Sequence, residues 1–179
     1  MMKRLCLPLG LGLAFAALGS QAAEPCHLQL DHAQLDYGQL QLPAGTTLDR
    51  FSQAHSLATR KVRVQVSCPQ PSPLAIDLLG ASEGGLARFA DAGQLNLRLL
   101  EAMVDGRAVD LANVDQGGTG LRELDVRPGQ RIVPVSAGQA LAGSEWTMSL
   151  QVTPALPLGE LRRADETLLQ GSLTLQLAE

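Results

Sequence analysis

Polar and apolar positions alternate with a period of two along most of the chain. Lys61-Val62-Arg63-Val64-Gln65-Val66-Ser67-Cys68 is the clearest case, with valines on one side and charged or polar residues on the other. That pattern predicts a β-strand with one buried face. Cys26-His27-Leu28-Gln29-Leu30 alternates in the same way, and so does Gln34 to Leu42, with Gly38 placed as a bulge. Pro69, Pro71 and Pro73 are expected to end the valine strand, because proline has no N–H to give a ladder. Further short strands are predicted at Leu74 to Leu79, Gln94 to Val104, Arg107 to Leu111, Leu121 to Val126, Arg131 to Val135 and Glu145 to Pro154. The tail from Gly171 to Leu177 alternates best of all, with Leu173, Leu175 and Leu177 inward and Ser172, Thr174 and Gln176 outward.

Turn chemistry separates these runs. Asp105-Gly106 is a hairpin signal, and it decides the leucine-rich stretch from Arg88 to Met103 for strand rather than helix. Arg127-Pro128-Gly129-Gln130 is a turn, Asn113 to Gly120 a glycine-rich loop, and Thr46 to Thr59 a polar connection. Regularly spaced short strands punctuated by proline and glycine predict an all-β sandwich in one domain. No internal repeat or low-complexity tract interrupts it.

The first residues read differently. Lys3 and Arg4 precede an apolar run from Leu5 to Leu18, and Gly19-Ser20-Gln21-Ala22-Ala23 offers small residues for cleavage. Residues 1–23 are therefore expected to be a secretory signal peptide, and 24–179 the exported domain. The run is broken by Pro8, Gly10 and Gly12 and is short for a bilayer span. No lipobox surrounds Cys26. Of three cysteines, Cys6 falls in the signal, which leaves Cys26 and Cys68. An oxidising compartment predicts that these two pair. Closing a loop of about 40 residues is worth roughly 4 kcal/mol in the chain-entropy picture.

Composition excludes more than it suggests. Without Lys3 and Arg4 the basic count falls from 14 to 12 against 18 acidic residues, a net charge of −6. A modestly acidic chain with no basic cluster argues against nucleic acid and anionic membrane surfaces. Only Tyr37, Phe51, Phe89 and Trp146 are aromatic beyond the signal, so no stacking platform is visible. His27, His32 and His55 lie near Asp31 and Asp36 without a zinc-like spacing. Asp110, Asn113 and Asp115 resemble a calcium loop only faintly, lacking the spacing and the closing glutamate. There is no Gly-x-Ser-x-Gly elbow and no phosphate-cradling loop. Neither an enzyme nor a cofactor is expected.

Taken in order, several segments resemble a chaperone–usher fimbrial subunit, in a poorly characterised fimbrial-like branch. They are Cys26, then Leu35-Asp36-Tyr37-Gly38, then Cys68 closing the valine strand, then Trp146 to Pro154, then the Leu169 to Leu175 tail. The resemblance implies an immunoglobulin-like, pilin-type β-sandwich that lacks its last strand and has one disulfide, Cys26–Cys68. It implies a periplasmic chaperone, an outer-membrane usher and other fimbrial subunits as partners, with passage through the periplasm to a surface fimbrium. Leu173, Leu175 and Leu177 would form the strand that the chaperone pairs with, and the carboxylate of Glu179 the group its cations anchor. Cleavage at the expected site leaves only two or three residues before Cys26, too few for the usual donor segment. The chain also ends Leu177-Ala178-Glu179 without a near-terminal aromatic. An acceptor that cannot donate suggests a fibre tip and a contribution to adhesion. The competing expectation is a self-complete periplasmic β-sandwich acting as a binding or accessory protein.

Overall fold

The computed structural model describes residues 25–39, 54–117, 119–157 and 168–178. Strands in chain order begin with β1 (His27–Leu30), β2 (Ala54–Ser56), β3 (Arg60–Pro73), β4 (Ile76–Gly80) and β5 (Ser82–Glu83). They continue with β6 (Leu86–Phe89), β7 (Gly93–Val104), β8 (Arg107–Ala108), β9 (Asp110–Asn113) and β10 (Leu124–Val126). The last four are β11 (Gln130–Ser136), β12 (Gln139–Ala140), β13 (Ala142–Pro157) and β14 (Leu173–Leu177). A single 3₁₀ turn, Val114–Gln116, accompanies them among the described residues; Asn113 caps it and Gly117 ends it with a left-handed φ of 57°. The fold is all-β, as the alternation predicts.

Two antiparallel sheets share these strands. The larger runs β1-β3-β13-β7-β6-β5, with β2 on β13 and β8 and β10 on β7. The smaller runs β12-β11-β4-β14, with β9 on β11. One core cluster draws Val62, Val64, Val66, Leu97, Leu99, Trp146, Met148 and Leu150 from the first sheet and Ile76, Leu78, Leu111 and Ile132 from the second. Burial in β3 and β13 follows the period of two, so the sequence pattern is also the packing pattern. At about 25 cal/mol per Å² of apolar area, this aliphatic interior is the main favourable term in the fold.

A bulge in β7 shows why the backbone deviates where it does. Leu95, Leu97 and Leu99 face the core, and strict alternation would send Glu101 and Met103 in after them. Leu99 and Leu100 are instead both buried, and Ala102 and Val104 take the core positions. The register against β13 slips there, Thr147 opposing Met103 while Ser149 opposes Leu100. Glu101 absorbs the extra residue at φ 57°. Its carboxylate, turned outward, accepts from Ser149 Oγ at 2.6 Å and Lys61 Nζ at 3.1 Å. The Ser149 hydroxyl first, and Lys61 after it, hold that carboxyl below its ordinary pKa.

The structure departs from the sequence reading in several places. Gln34 to Gln39 forms no strand: Asp36 Oδ1 accepts from Gly38 N at 2.7 Å, and Gly38 turns the chain at φ 67°. Leu40 to Leu42 lie outside the described residues. The polar connection contains a strand, β2, whose His55 sits opposite Leu156. Pro69 and Pro71 do not end β3, which runs on to Pro73. Its pairing with β13 jumps from Ser67 opposite Glu145 to Ser72 opposite Gly143, so Pro69 and Pro71 fall in the irregularity, where no paired N–H is required. Finally, Leu121 makes only an isolated bridge to Leu111, and the strand proper starts at Leu124.

Candidate functional site

Each sheet ends in a short strand, and on one side of the sandwich β1 and β14 approach each other. Among the described residues β1 pairs with β3 alone, Leu28 opposite Val66 and Leu30 opposite Val64. Cys26 is joined to Cys68 just before β1 begins, which fastens the start of this strand to β3. The predicted disulfide is present. The far end of β1 is held by Asp31, whose main-chain N–H donates to Arg63 O at 3.1 Å and whose Oδ1 accepts from Arg63 N at 2.8 Å. Desolvation pushes the Asp31 carboxyl up, but the Arg63 amide and His32 outweigh it and leave the pKa lowered.

Leu30 carries the clearest information about this side. Its partner Val64 is 0% exposed on the core face, yet Leu30, facing the same way, is 36% exposed. Leu28 and Cys26 are half-buried against the core, as is Leu35 in the segment that follows. Tyr37 pins that segment. Its hydroxyl donates to Val152 O at 3.2 Å, and Arg60 lies 5.9 Å from its ring centroid. Burial raises the Tyr37 pKa and Arg60 opposes the shift.

β14 forms the other wall. It pairs with β4, Leu173 opposite Gly80, Leu175 opposite Leu78 and Leu177 opposite Ile76. Among the described residues no strand pairs with its second edge. Leu173, Leu175 and Leu177 are half-buried against the core, while Thr174 and Gln176 are exposed, in the phase expected. The chain reaches β14 from across the sandwich, where Gln170 O accepts from Ala90 N at 2.8 Å.

The direction of the free main-chain groups follows from one hydrogen bond. Ala178 N donates to Ala75 O at 3.0 Å, in step with the β14–β4 register. In an antiparallel ladder, hydrogen-bonded pairs alternate with non-bonded ones. Gln176 and Thr174 therefore turn their main-chain groups toward β4, as Ala178 does. Leu173, Leu175 and Leu177 turn theirs away. The three leucines whose side chains are incompletely covered thus also carry three N–H and three C=O groups aimed away from β4, at the edge that no described strand pairs with. Glu179, the predicted carboxylate anchor, lies outside the described residues.

Other candidates are accounted for locally. Among the described residues no three His, Cys, Asp or Glu side chains converge as a metal site would require. His27 and His55 are exposed, and His32 Nδ1 lies 3.2 Å from Asp31 Oδ1. Asn113 is buried as the cap of the 3₁₀ turn, accepting from Asp115 N at 3.0 Å. A notch of about 340 Å³ beside the β7 bulge has Leu100, Ala102 and Val109 as its floor. Its rim charges are paired: Glu101 with Lys61, Glu123 with Arg98, and Arg122 with Asp110. On the outer face of the smaller sheet, Asp77 takes a bidentate bond from Arg131, 2.8 Å at each oxygen. That bond holds the Asp77 carboxyl below its usual range. Among the described residues no helix is long and apolar enough to cross a membrane. No family model and no curated protein matches the chain.

Proposed function

We propose that the chain is a strand-accepting structural subunit of a chaperone–usher surface fimbria, built as an immunoglobulin-like sandwich without its final strand. The observation that carries this reading is the open side between β1 and β14. Core-facing Leu30, Leu173, Leu175 and Leu177 remain partly exposed there, above an edge that no strand among the described residues pairs with. A strand of alternating aliphatic residues laid along β14 supplies what is missing. Its side chains would cover the leucines at roughly 1.5–3 kcal/mol per buried aliphatic, and its main chain would satisfy the outward groups. Such a strand comes first from a periplasmic chaperone and later from a neighbouring subunit. Export suits a chain whose β1 is clamped by a disulfide.

The experiment is strand addition to the purified chain. A synthetic peptide of alternating valine and threonine, capped at both ends, is expected to bind and to raise the unfolding midpoint. It is expected to slow amide exchange at Leu173, Leu175 and Leu177 but not at Thr174 and Gln176, which already face β4. Peptide binding without that alternation, or no binding with a cooperatively folded free chain, overturns the reading in favour of a self-complete sandwich.

A further inference from the structure

The edge that would accept a foreign strand is complementary to itself. From Leu168 to Ala178 there is neither a charged residue nor a proline, the residues by which sheet edges are normally guarded. The other terminal strands are shorter. β5 and β12 have two residues each and β1 has four, against five in β14. β1 also runs into Asp31, whereas β14 is flanked by Ser172 and Ala178. The sequence Leu173-Thr174-Leu175-Gln176-Leu177 is close to a palindrome in character, apolar at both ends and centre and neutral polar between.

We propose that, without a donor strand, two copies of the chain pair antiparallel through β14 across a two-fold axis at Leu175. This register sets Leu175 opposite the partner's Leu175, Leu173 opposite the partner's Leu177, and Thr174 opposite the partner's Gln176. Every residue with outward main-chain groups then meets another of the same kind. Three such pairs exchange two hydrogen bonds each. The leucines lie on one face, toward the two cores, and Thr174 and Gln176 lie on the other, toward solvent. The contact uses the same strand in both copies, so it closes as a dimer and does not propagate.

This rests on the open-edge reading above and adds a control to it. The dimer and the strand complex occupy one edge and exclude each other. The dimer is a resting state that shields the leucines, and a donor strand must displace the second copy.

The test is sedimentation of the purified chain over a wide concentration range, with two variants that differ at one position. Thr174→Lys with Gln176→Lys places like charges opposite each other in both symmetry-related pairs. Thr174→Glu with Gln176→Lys places opposite charges there. Both place a lysine at position 176, directly opposite Asp77 in the β14–β4 register. The apparent mass of the wild-type chain is expected to double with concentration. The first variant should dimerise more weakly than the second by at least about tenfold at low salt, a gap that narrows as salt is added. A wild-type chain that stays monomeric throughout, or variants shifted equally, overturns the proposal. The valine–threonine peptide is titrated in parallel. A chain that dimerises but ignores peptide sinks the fimbrial reading alone, and one that binds peptide without dimerising sinks only this inference.

Discussion

Truncating Leu175 to alanine should cost more when a strand occupies the seam than when it is empty. In the free monomer, at concentrations below dimerisation, Leu175 is half-buried, opposite Leu78, which is 2% exposed. Deleting a fully enclosed leucine costs about 2–5 kcal/mol, transfer and cavity together. With half of the side chain still in water, Leu175→Ala should cost roughly 1–2 kcal/mol, because the removed methyls were only partly withdrawn and the gap opens to solvent. A bound strand covers the other half and brings the loss to about 3 kcal/mol. The difference of about 1–2 kcal/mol must then appear in binding, as a peptide affinity weakened roughly 5- to 30-fold. Urea unfolding with and without peptide measures both quantities. The fluorescence of Trp146, which is 0% exposed, reports the transition. Leu78→Ala is the control: it should lose the same stability in either state and leave peptide affinity intact. If Leu175→Ala costs the free chain as much as Leu78→Ala and leaves peptide binding untouched, the leucine is already enclosed and the seam does not exist.

Three further features carry expected outcomes of their own. Replacing both Cys26 and Cys68 by serine opens a loop of sequence separation 42 and should lower stability by about 4 kcal/mol with a larger urea m-value, as the unfolded chain expands; an unchanged m-value would count against the entropic account. Glu101→Val should cost about 1–2 kcal/mol, since a β-branched residue tolerates φ 57° poorly. Glu101→Gly should stay within about 0.5 kcal/mol of wild type, its relaxed backbone offsetting the lost surface contacts. The Asp77 carboxyl titrates lower in the folded chain than in the unfolded one, so its stabilising share is complete above about pH 3.9 and disappears as pH falls through the folded value. Asp77→Asn should flatten the acid limb of the stability curve and leave the salt-bridge partner Arg131 without its bidentate acceptor.

Most strands were legible because a half-buried strand writes its burial directly into the sequence. The valine strand, the Trp146 strand and the leucine tail all keep the predicted phase, and Asp105-Gly106 does turn β7 into β8, with φ values of 47° and 75°. What stayed hidden depends on partners far away in the chain. Arg107 to Leu111 alternates as one run, but the chain changes sheets inside it. Ala108 pairs with Met103 of the larger sheet and Leu111 with Pro134 of the smaller, and no local signal marks the crossing at Val109. Gln34 to Gln39 alternates as well as β1 does, yet Tyr37 is spent on the Val152 carbonyl and the chain turns. The β7 bulge had a readable trace, the Leu99-Leu100 doublet followed by Glu101, where strict alternation would have buried a carboxylate. Of the site, the leucine triad and the disulfide were legible in the residues. The lack of a described strand on the second edge of β14 was expected only through the resemblance, because it depends on which strands are neighbours, and the exposure of Leu30 is informative only once Val64 is seen opposite.

The orientation of the main-chain groups on β14 also sets how the seam would respond to tension. A strand seated there runs along the axis of β14, so pulling on it loads the hydrogen bonds of Leu173, Leu175 and Leu177 together, in shear. Peeling from one end would break them one by one. Shear asks for all of them, and for the sliding of every interdigitated side chain, in a single step. A module with this geometry yields to force at the rate of its slowest collective opening, and the Cys26–Cys68 crosslink keeps the opposite wall from being dragged away first.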